Sequence, residues 1–231
     1  METTVLIPIY NGLEYLEQAL ESIDQQTVQP LGGVVIAFNG MDKYVANEQM
    51  KRIKPRPNVR VFWAGDEGNK SQTLNDMIQN HVKTPYTCLL DSDDWWAPTK
   101  LEHQYHLIHQ GYQVVGTQCV YACPSDPALH NKMPNIPLGD ITNFDMFQVN
   151  PIINSSSLFQ TNLGEWDSHD DLLFGMEDYD MWMRLRYMHH GKIRMYNCPE
   201  PLVYHRLHES SHFNNKNTNH HRLFQKWLPY R

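Results

Sequence analysis

Four short apolar runs, at residues 4–9, 34–38, 59–63 and 86–90, constrain this chain more than any other feature, because a helix or turn signal follows each one. After the first run, Asn11 stands three residues before Glu14 in capping-box spacing, and Leu16, Leu20 and Ile23 recur at helical intervals. A polar helix is expected from residue 42 to about 54, stopped by Pro55 and Pro57. Leu74, Met77 and Ile78 mark a short helix, and Pro98 opens another with Leu101, Tyr105 and Ile108 on one face. Strands alternating with helices predict an α/β fold: a Rossmann-like, mostly parallel central sheet flanked by helices on both faces. Ligands of such sheets bind beyond the carboxyl ends of the strands. Tyr10, Asn39 and the Asp91 cluster all stand at such ends.

The second half is less regular. Residues 122–151 are rich in Pro, Asn and Asp, which reads as a long loop walling the acceptor side. A strand is expected at 155–159 and another at 202–204. A helix is expected at 177–190, with Met181, Leu185 and Met188 inward, and a short one at 220–227. The expected organisation is one domain over 1–231. Residues 1–110 form a nucleotide-binding half, 111–208 an acceptor and catalytic half, and 209–231 a mobile tail whose polar start, 209–219, is a candidate to close over a ligand.

Charge and composition narrow the partners. The net charge is −7, without a basic excess, so nucleic acid is not an expected partner. No apolar run approaches the roughly 18 to 20 residues of a membrane helix, and the first residues carry no positive region. Four scattered cysteines (Cys88, Cys119, Cys123, Cys198) fit thiols in a reducing compartment, and a cytoplasmic location is expected.

Asp91, Ser92, Asp93 and Asp94 put three carboxylates at one strand end. Their mutual repulsion is relieved by a divalent cation, and oxygen ligands suit Mg²⁺ or Mn²⁺. A solvated turn with a helix cap is the plain alternative. Glu177 and Asp178 open the later helix, where the helix dipole favours acids; a general base must be such a carboxylate near an acceptor hydroxyl. His205 and His208 follow a strand, as a metal ligand would. Lys70 is a candidate for a diphosphate. Trp95 and Trp96 are either a sugar wall or core.

In order along the chain, these pieces resemble the family 2 glycosyltransferases. Residues 4–11 resemble the opening strand with its Pro-x-Tyr-Asn turn, and 13–26 the first helix. Residues 68–75 are similar to the stretch before the third helix, and 89–94 to the Leu-Asp-Ser-Asp-Asp segment. Residues 175–182 are similar to the Glu-Asp-Tyr-Asp helix, and 201–210 to the closing strand. The resemblance implies the GT-A fold and an inverting, metal-dependent transfer of one sugar from a nucleotide sugar, with UDP the expected nucleotide. The acceptor would be a carbohydrate, lipid-linked or protein hydroxyl. It implies that Pro8 and Tyr10 border the nucleobase and that Asp91, beside Ser92, faces the ribose. Asp93 and His208 would hold Mn²⁺ or Mg²⁺, and Asp178 with Glu177 would deprotonate the acceptor.

Two departures stand out. Where the family ends its second strand with acids, this chain has Phe38-Asn39-Gly40, which puts uridine specificity in doubt and keeps an inactive nucleotide- or sugar-binding module as an alternative. The processive enzymes' Gln-x-x-Arg-Trp motif is absent, Gln225-Lys226-Trp227 being only an echo. A nucleotidyltransferase is the other alternative, against which the Pro8–Gly12 turn offers no Arg or Lys.

Overall fold

The computed structural model describes residues 1–170, 173–208 and 219–231. The first apolar runs become β1 (Thr3–Ile9), β2 (Val34–Asn39), β3 (Val59–Gly65) and β4 (Tyr86–Leu89). They lie side by side in the order β3-β2-β1-β4, all parallel. Between them run α1 (Leu13–Asp24), α2 (Lys43–Met50) and α3 (Lys70–Asp76), the last continuing into a wider turn over Met77–His81. Alternate residues of β1 face opposite sides: Val5, Ile7 and Ile9 join Leu16, Leu20 and Leu101 in one core cluster, whereas Leu6 joins Leu74, Phe159 and Trp182 in the other. The sheet is therefore buried on both faces, as its near-continuous apolar runs require.

The second half extends the same sheet. β5 (Trp95–Trp96) and α4 (Lys100–His109) lead to β6 (Val114–Ala122), a strand not foreseen from sequence. Gly116 and Gln118 interrupt its apolar run, yet it sits between β8 (Leu158–Gln160) and β9 (Met195–Arg206), buried over most of its length. β8 runs antiparallel to both β4 and β6, and β9 pairs parallel with β6. β7 (Gly139–Asp140) and β5 pair antiparallel with β9. The expected strand at 155–159 starts late, because Asn154–Ser156 form a tight 3-10 turn first. The strand expected at 202–204 is the end of the longer β9.

Two local expectations change. Asn11 does not cap α1; Gly12 occupies the N-cap at φ 78°, a left-handed position that favours glycine over asparagine. α5 (Glu177–Tyr187) ends before Met188, which is exposed, while Tyr179, Met181, Trp182, Met183 and Leu185 are buried. This helix is enclosed nearly all round, so a single inward stripe does not describe it. α6 (His220–Trp227) lies where the short helix was expected, with Leu223 and Trp227 buried. Of the segment 209–219 expected to close over a ligand, residues 209–218 lie outside the described residues, and Asn219 caps α6. Among the described residues, no helix is long and apolar enough to cross a membrane.

One core residue is unusual. Lys100 is fully buried, with Nζ 2.7 Å from Gln104 Oε1 and 3.9 Å above the Trp96 ring, and no carboxylate pairs with it among the described residues. Burial pushes its pKa down to about 8. The folded pKa lies below the unfolded value, so the charged ammonium costs stability below pH 8, and the cost fades as pH rises toward 10.5. Lys100→Met is expected to raise Tm at pH 7 by several degrees, with the gap to the unmodified protein narrowing above pH 8 in a calorimetric pH series. A lower Tm at pH 7 would contradict this account.

Candidate functional site

Because β1, β2 and β4 are parallel, their carboxyl ends share one edge, and Tyr10, Asn39 and the loop from Asp91 to Asp94 gather there. α5 points its N-terminus at the same edge and supplies Glu177 and Asp178. Between them lies a cavity of about 500 Å³. Pro8, Tyr10, Asn39, Lys70, Asp91, Ser92, Asp93, Glu177 and Asp178 all line it, so the structure brings together every site residue expected from sequence except His208. His208 stands just behind, Nε2 3.1 Å from Asp93 Oδ2.

The three carboxylates after β4 have separate surroundings. Asp91 receives Lys70 Nζ at 2.8 Å, Asn154 Nδ2 at 3.0 and 2.9 Å on its two oxygens, and Ser155 Oγ at 3.3 Å. Burial alone would raise its pKa; Lys70 and Asn154 outweigh that and hold it low. Asp93 is pushed up instead, first by burial and then by its neighbours Asp94 and Asp91. Asp94 is wholly enclosed and accepts from His205 Nδ1 at 2.9 Å and from Arg206 N at 2.9 Å. Asp94 outweighs burial at His205 and lifts its pKa to about 9. Arg206 Nε donates to Asp93 O at 2.9 Å, and its guanidinium stacks 4.4 Å from Tyr15 and 4.7 Å from Trp95. Asp94 and Arg206 thus fasten the end of β9, which delivers His208 to Asp93.

Asp93 and His208 combine one oxygen and one nitrogen donor in an over-acidic place. Among the described residues, no group of three or more His, Cys, Asp or Glu side chains is placed to hold a metal ion together. The pair would suit a divalent cation that draws the rest of its shell from oxygens outside the protein, the usual habit of Mg²⁺. Lys70 links the two walls: its Nζ bonds Asp91, and Asp91, Glu177 and Asp178 together overcome burial and raise its pKa.

Across the cavity, burial pushes Asp178 up to about 6, opposed by Asn150 Nδ2, which donates to Oδ2 at 3.0 Å, and by Lys70. Glu177 Oε1 accepts from the Gly175 amide at 2.9 Å. At the other end, Asn39 is buried and its orientation is set by chemistry. The Thr73 hydroxyl donates to Asn69 O at 3.0 Å, so toward Asn39 it only accepts, taking Nδ2 at 2.9 Å. Asn39 Oδ1 is buried, and among the described residues nothing hydrogen-bonds to it. Tyr10, 59% exposed, lies over Gly40, where a Cβ would overlap the ring.

Neither Trp95 nor Trp96 lines the cavity. Trp96 is core, its Nε1 bonded to Ser155 O at 2.8 Å, and Trp95 stacks on Tyr204. The aromatic wall is Trp166 and Phe174, neither foreseen from sequence. Asn154, Ser155 and Asn150 were missed as well. The run Asn154-Ser155-Ser156-Ser157 before a strand was the available signal, since small polar residues there form a turn that aims donors.

Comparison with known proteins adds a family. The model for Glycosyl transferase family 2 matches residues 4–163. An uncharacterized glycosyltransferase of Rickettsia bellii is 26% identical over 196 residues, 79% of this chain and 27% of the relative. The O-antigen biosynthesis glycosyltransferase WbnJ of Escherichia coli is 25% identical over 214 residues, covering 90% of this chain and 80% of the relative. The chain spans about a quarter to a third of the length of the first curated relatives it matches. Among solved structures, S. aureus TarS 1–349 in complex with UDP-GlcNAc superposes with a TM-score of 0.66 at 16% identity, over 92% of this chain and 60% of that one. The mannosyltransferase PcManGT of Pyrobaculum calidifontis, with GDP-Man and Mn²⁺, gives 0.62 at 15% identity, over 91% and 58%. These likenesses show the GT-A fold.

The raised pKa of Asp178 carries a stability cost. Its folded value, about 6, exceeds the ordinary aspartate value of 3.8, so stability is greatest below 3.8 and is lost as pH rises through 6. Asp178→Asn is expected to raise Tm by a few degrees at pH 7.5 and to leave it nearly unchanged at pH 4, read by calorimetry. Equal Tm values at both pH values would contradict the burial described.

Proposed function

As the chain belongs to the family 2 glycosyltransferases, we propose that it moves one sugar from a UDP-sugar to an acceptor hydroxyl, in a single in-line displacement with inversion at the anomeric carbon. The observation that carries this reading is the shared cavity, with Asp91 and Asp93 on one wall and Asp178 on the other. Residues 1–110 supply the donor half and 111–208 the acceptor half of one domain.

Tyr10 and Pro8 flank the nucleobase, and Asn39 Oδ1, which has no hydrogen-bond partner among the described residues, accepts its ring N–H. Uracil offers that N–H, whereas cytosine presents an acceptor there and leaves Asn39 unsatisfied. Asp91, beside Ser92, faces the ribose, and Lys70 reaches toward the diphosphate. Asp93 and His208 would hold Mn²⁺ or Mg²⁺, which when bound offsets charge on the departing diphosphate. Asp178, with Glu177 beside it, takes the acceptor's proton as the new carbon–oxygen bond forms and the bond to phosphate breaks. Its raised pKa suits a base working near neutrality. Solved relatives holding UDP-GlcNAc, or GDP-Man with Mn²⁺, support the donor class and the ion. WbnJ, named for O-antigen biosynthesis, supports a carbohydrate among the expected acceptors, beside lipid-linked or protein hydroxyls. Four free, buried thiols suit a reducing compartment, the cytoplasm.

A panel of nucleotide sugars with Mn²⁺ and candidate acceptors tests the reading. Turnover is expected with a UDP-sugar, falling as pH drops through about 6 with protonation of Asp178. Asp178→Asn is expected to lose about 10²- to 10⁴-fold in kcat. Full turnover by both Asp178→Asn and Asp93→Ala would overturn the assignment. By calorimetry, UDP is expected to bind at least about tenfold more tightly than CDP, because CDP leaves Asn39 unpaired; equal affinities would remove Asn39 from base recognition.

A further inference from the structure

We propose that α6 is a clasp that positions the first turn of α5 against the cavity wall, with Lys226 and Trp227 as its positioning residues. The proposal rests on the reading of Asp178 as the base, which it extends to a part of the fold far from the strand-end carboxylates.

Asp180 lies two residues after Asp178 in the first turn of α5, and it is buried. Its carboxylate takes two donors from α6: Trp227 Nε1 at 2.8 Å and Lys226 Nζ at 2.8 Å. The same Lys226 Nζ reaches Asp167 Oδ2 at 2.9 Å, and Arg222 Nε reaches Asp170 Oδ2 at 3.0 Å. Asp167 and Asp170 follow Trp166, which lines the cavity. One helix therefore grips both the turn that carries Asp178 and the segment that continues from the aromatic wall.

Apolar contact alone would seat α6. Leu223 is fully buried, and Phe224 meets Tyr179 edge-on, ring centroids 6.3 Å apart. The polar contacts do something more specific. A buried carboxylate is costly unless paired, so the first turn of α5 holds this position only with its α6 donors in place. Two donors arriving on one carboxylate also fix the rotation of α5 about its axis, and that rotation sets where Asp178 points. Among the described residues, the charged groups acting on Asp178 are Lys70 from α3 and Glu177 on its own helix, with the neutral Asn150 amide from the loop. None comes from α6, so α6 acts through the backbone of α5. Displacing a base by about 1 Å costs on the order of 10²-fold in rate.

Three variants of the full chain test the clasp. Trp227→Phe keeps an aromatic ring, though a smaller one, and removes the indole N–H. Asp180→Asn with Lys226→Met replaces the buried ion pair by a neutral pair, and the part-exposed Asp167, which loses Lys226 as well, is left to water. Lys226→Arg keeps the charge and should retain at least about half of the turnover. The readouts are the ¹³C NMR titration midpoint of the Asp178 carboxyl in the protein without substrate, and steady-state kinetics. In the first two variants the midpoint is expected to move down from about 6 toward an ordinary carboxylate as water reaches the loosened turn. Their kcat is expected to fall about tenfold, with donor KM within about twofold. An unmoved midpoint overturns the proposal, whether kcat is normal or falls only with the folded fraction. If Asp178→Asn keeps full turnover, the base assignment fails on its own. The clasp is then judged by the midpoint alone, which moves if α6 sets the position of α5 and stays if it does not.

Discussion

Three carboxylates crowded at the end of β4 set the terms for everything around them. Like charges at this spacing persist only if each has its own compensation. Lys70, with Asn154 and Ser155, answers Asp91. His205 and the Arg206 amide answer Asp94. Asp93 has His208 on one side and the cavity on the other, and its pKa is raised. Of the three, it is the one whose surroundings invite further positive charge. The first and third carboxylates act as fasteners that hold the second in place.

These fasteners tie distant pieces of chain together. Asp94 closes the end of β9 onto the β4 loop, which delivers His208. Asp91 reaches the Asn154–Ser156 turn, and that turn is anchored from beneath: Gln104 Nε2 donates to Ser156 O, and Trp96 Nε1 to Ser155 O. The Lys100 ammonium lies against both Gln104 and Trp96, so a buried and costly lysine orients the groups that support Asp91. Stability spent under the strand-end carboxylates is matched across the cavity, where burial of Asp178 disfavours its charged form. Costs of this kind are expected where a site needs charge in a fixed place.

The parts legible in the sequence were those in which one local pattern determines the outcome. Apolar runs of five or six residues gave the parallel half of the sheet, and parallel strands place Tyr10, Asn39 and Asp91 on one edge with no further information. The site acids followed from motifs that lie wholly at strand and helix ends. What was missed depends on contacts between distant segments. β6 carries Gly116 and Gln118, whose places make sense only beside β9: a Cβ on Gly116 would overlap the Asn197 side chain. Asn154 is an ordinary turn residue until β8 lies next to β4. Asp94 resembled a spare acid because its partners are more than a hundred positions away. The capping reading at Asn11 failed for a local reason, since Gly12 takes the left-handed position at lower cost. Trp95 and Trp96 were equally good as wall or core by composition, and only the pairing of β5 with β9 decides between them.

The division of labour among the carboxylates is tested most directly by following free Mn²⁺ by electron paramagnetic resonance during titration, with and without UDP, in the unmodified protein and in Asp93→Ala. With only Asp93 and His208 contributed by the described residues, Mn²⁺ alone should bind weakly, and UDP should tighten it at least about tenfold by adding oxygen ligands. Asp93→Ala should abolish that gain. Tight Mn²⁺ binding without nucleotide, or a UDP-dependent gain that survives Asp93→Ala, would contradict the account.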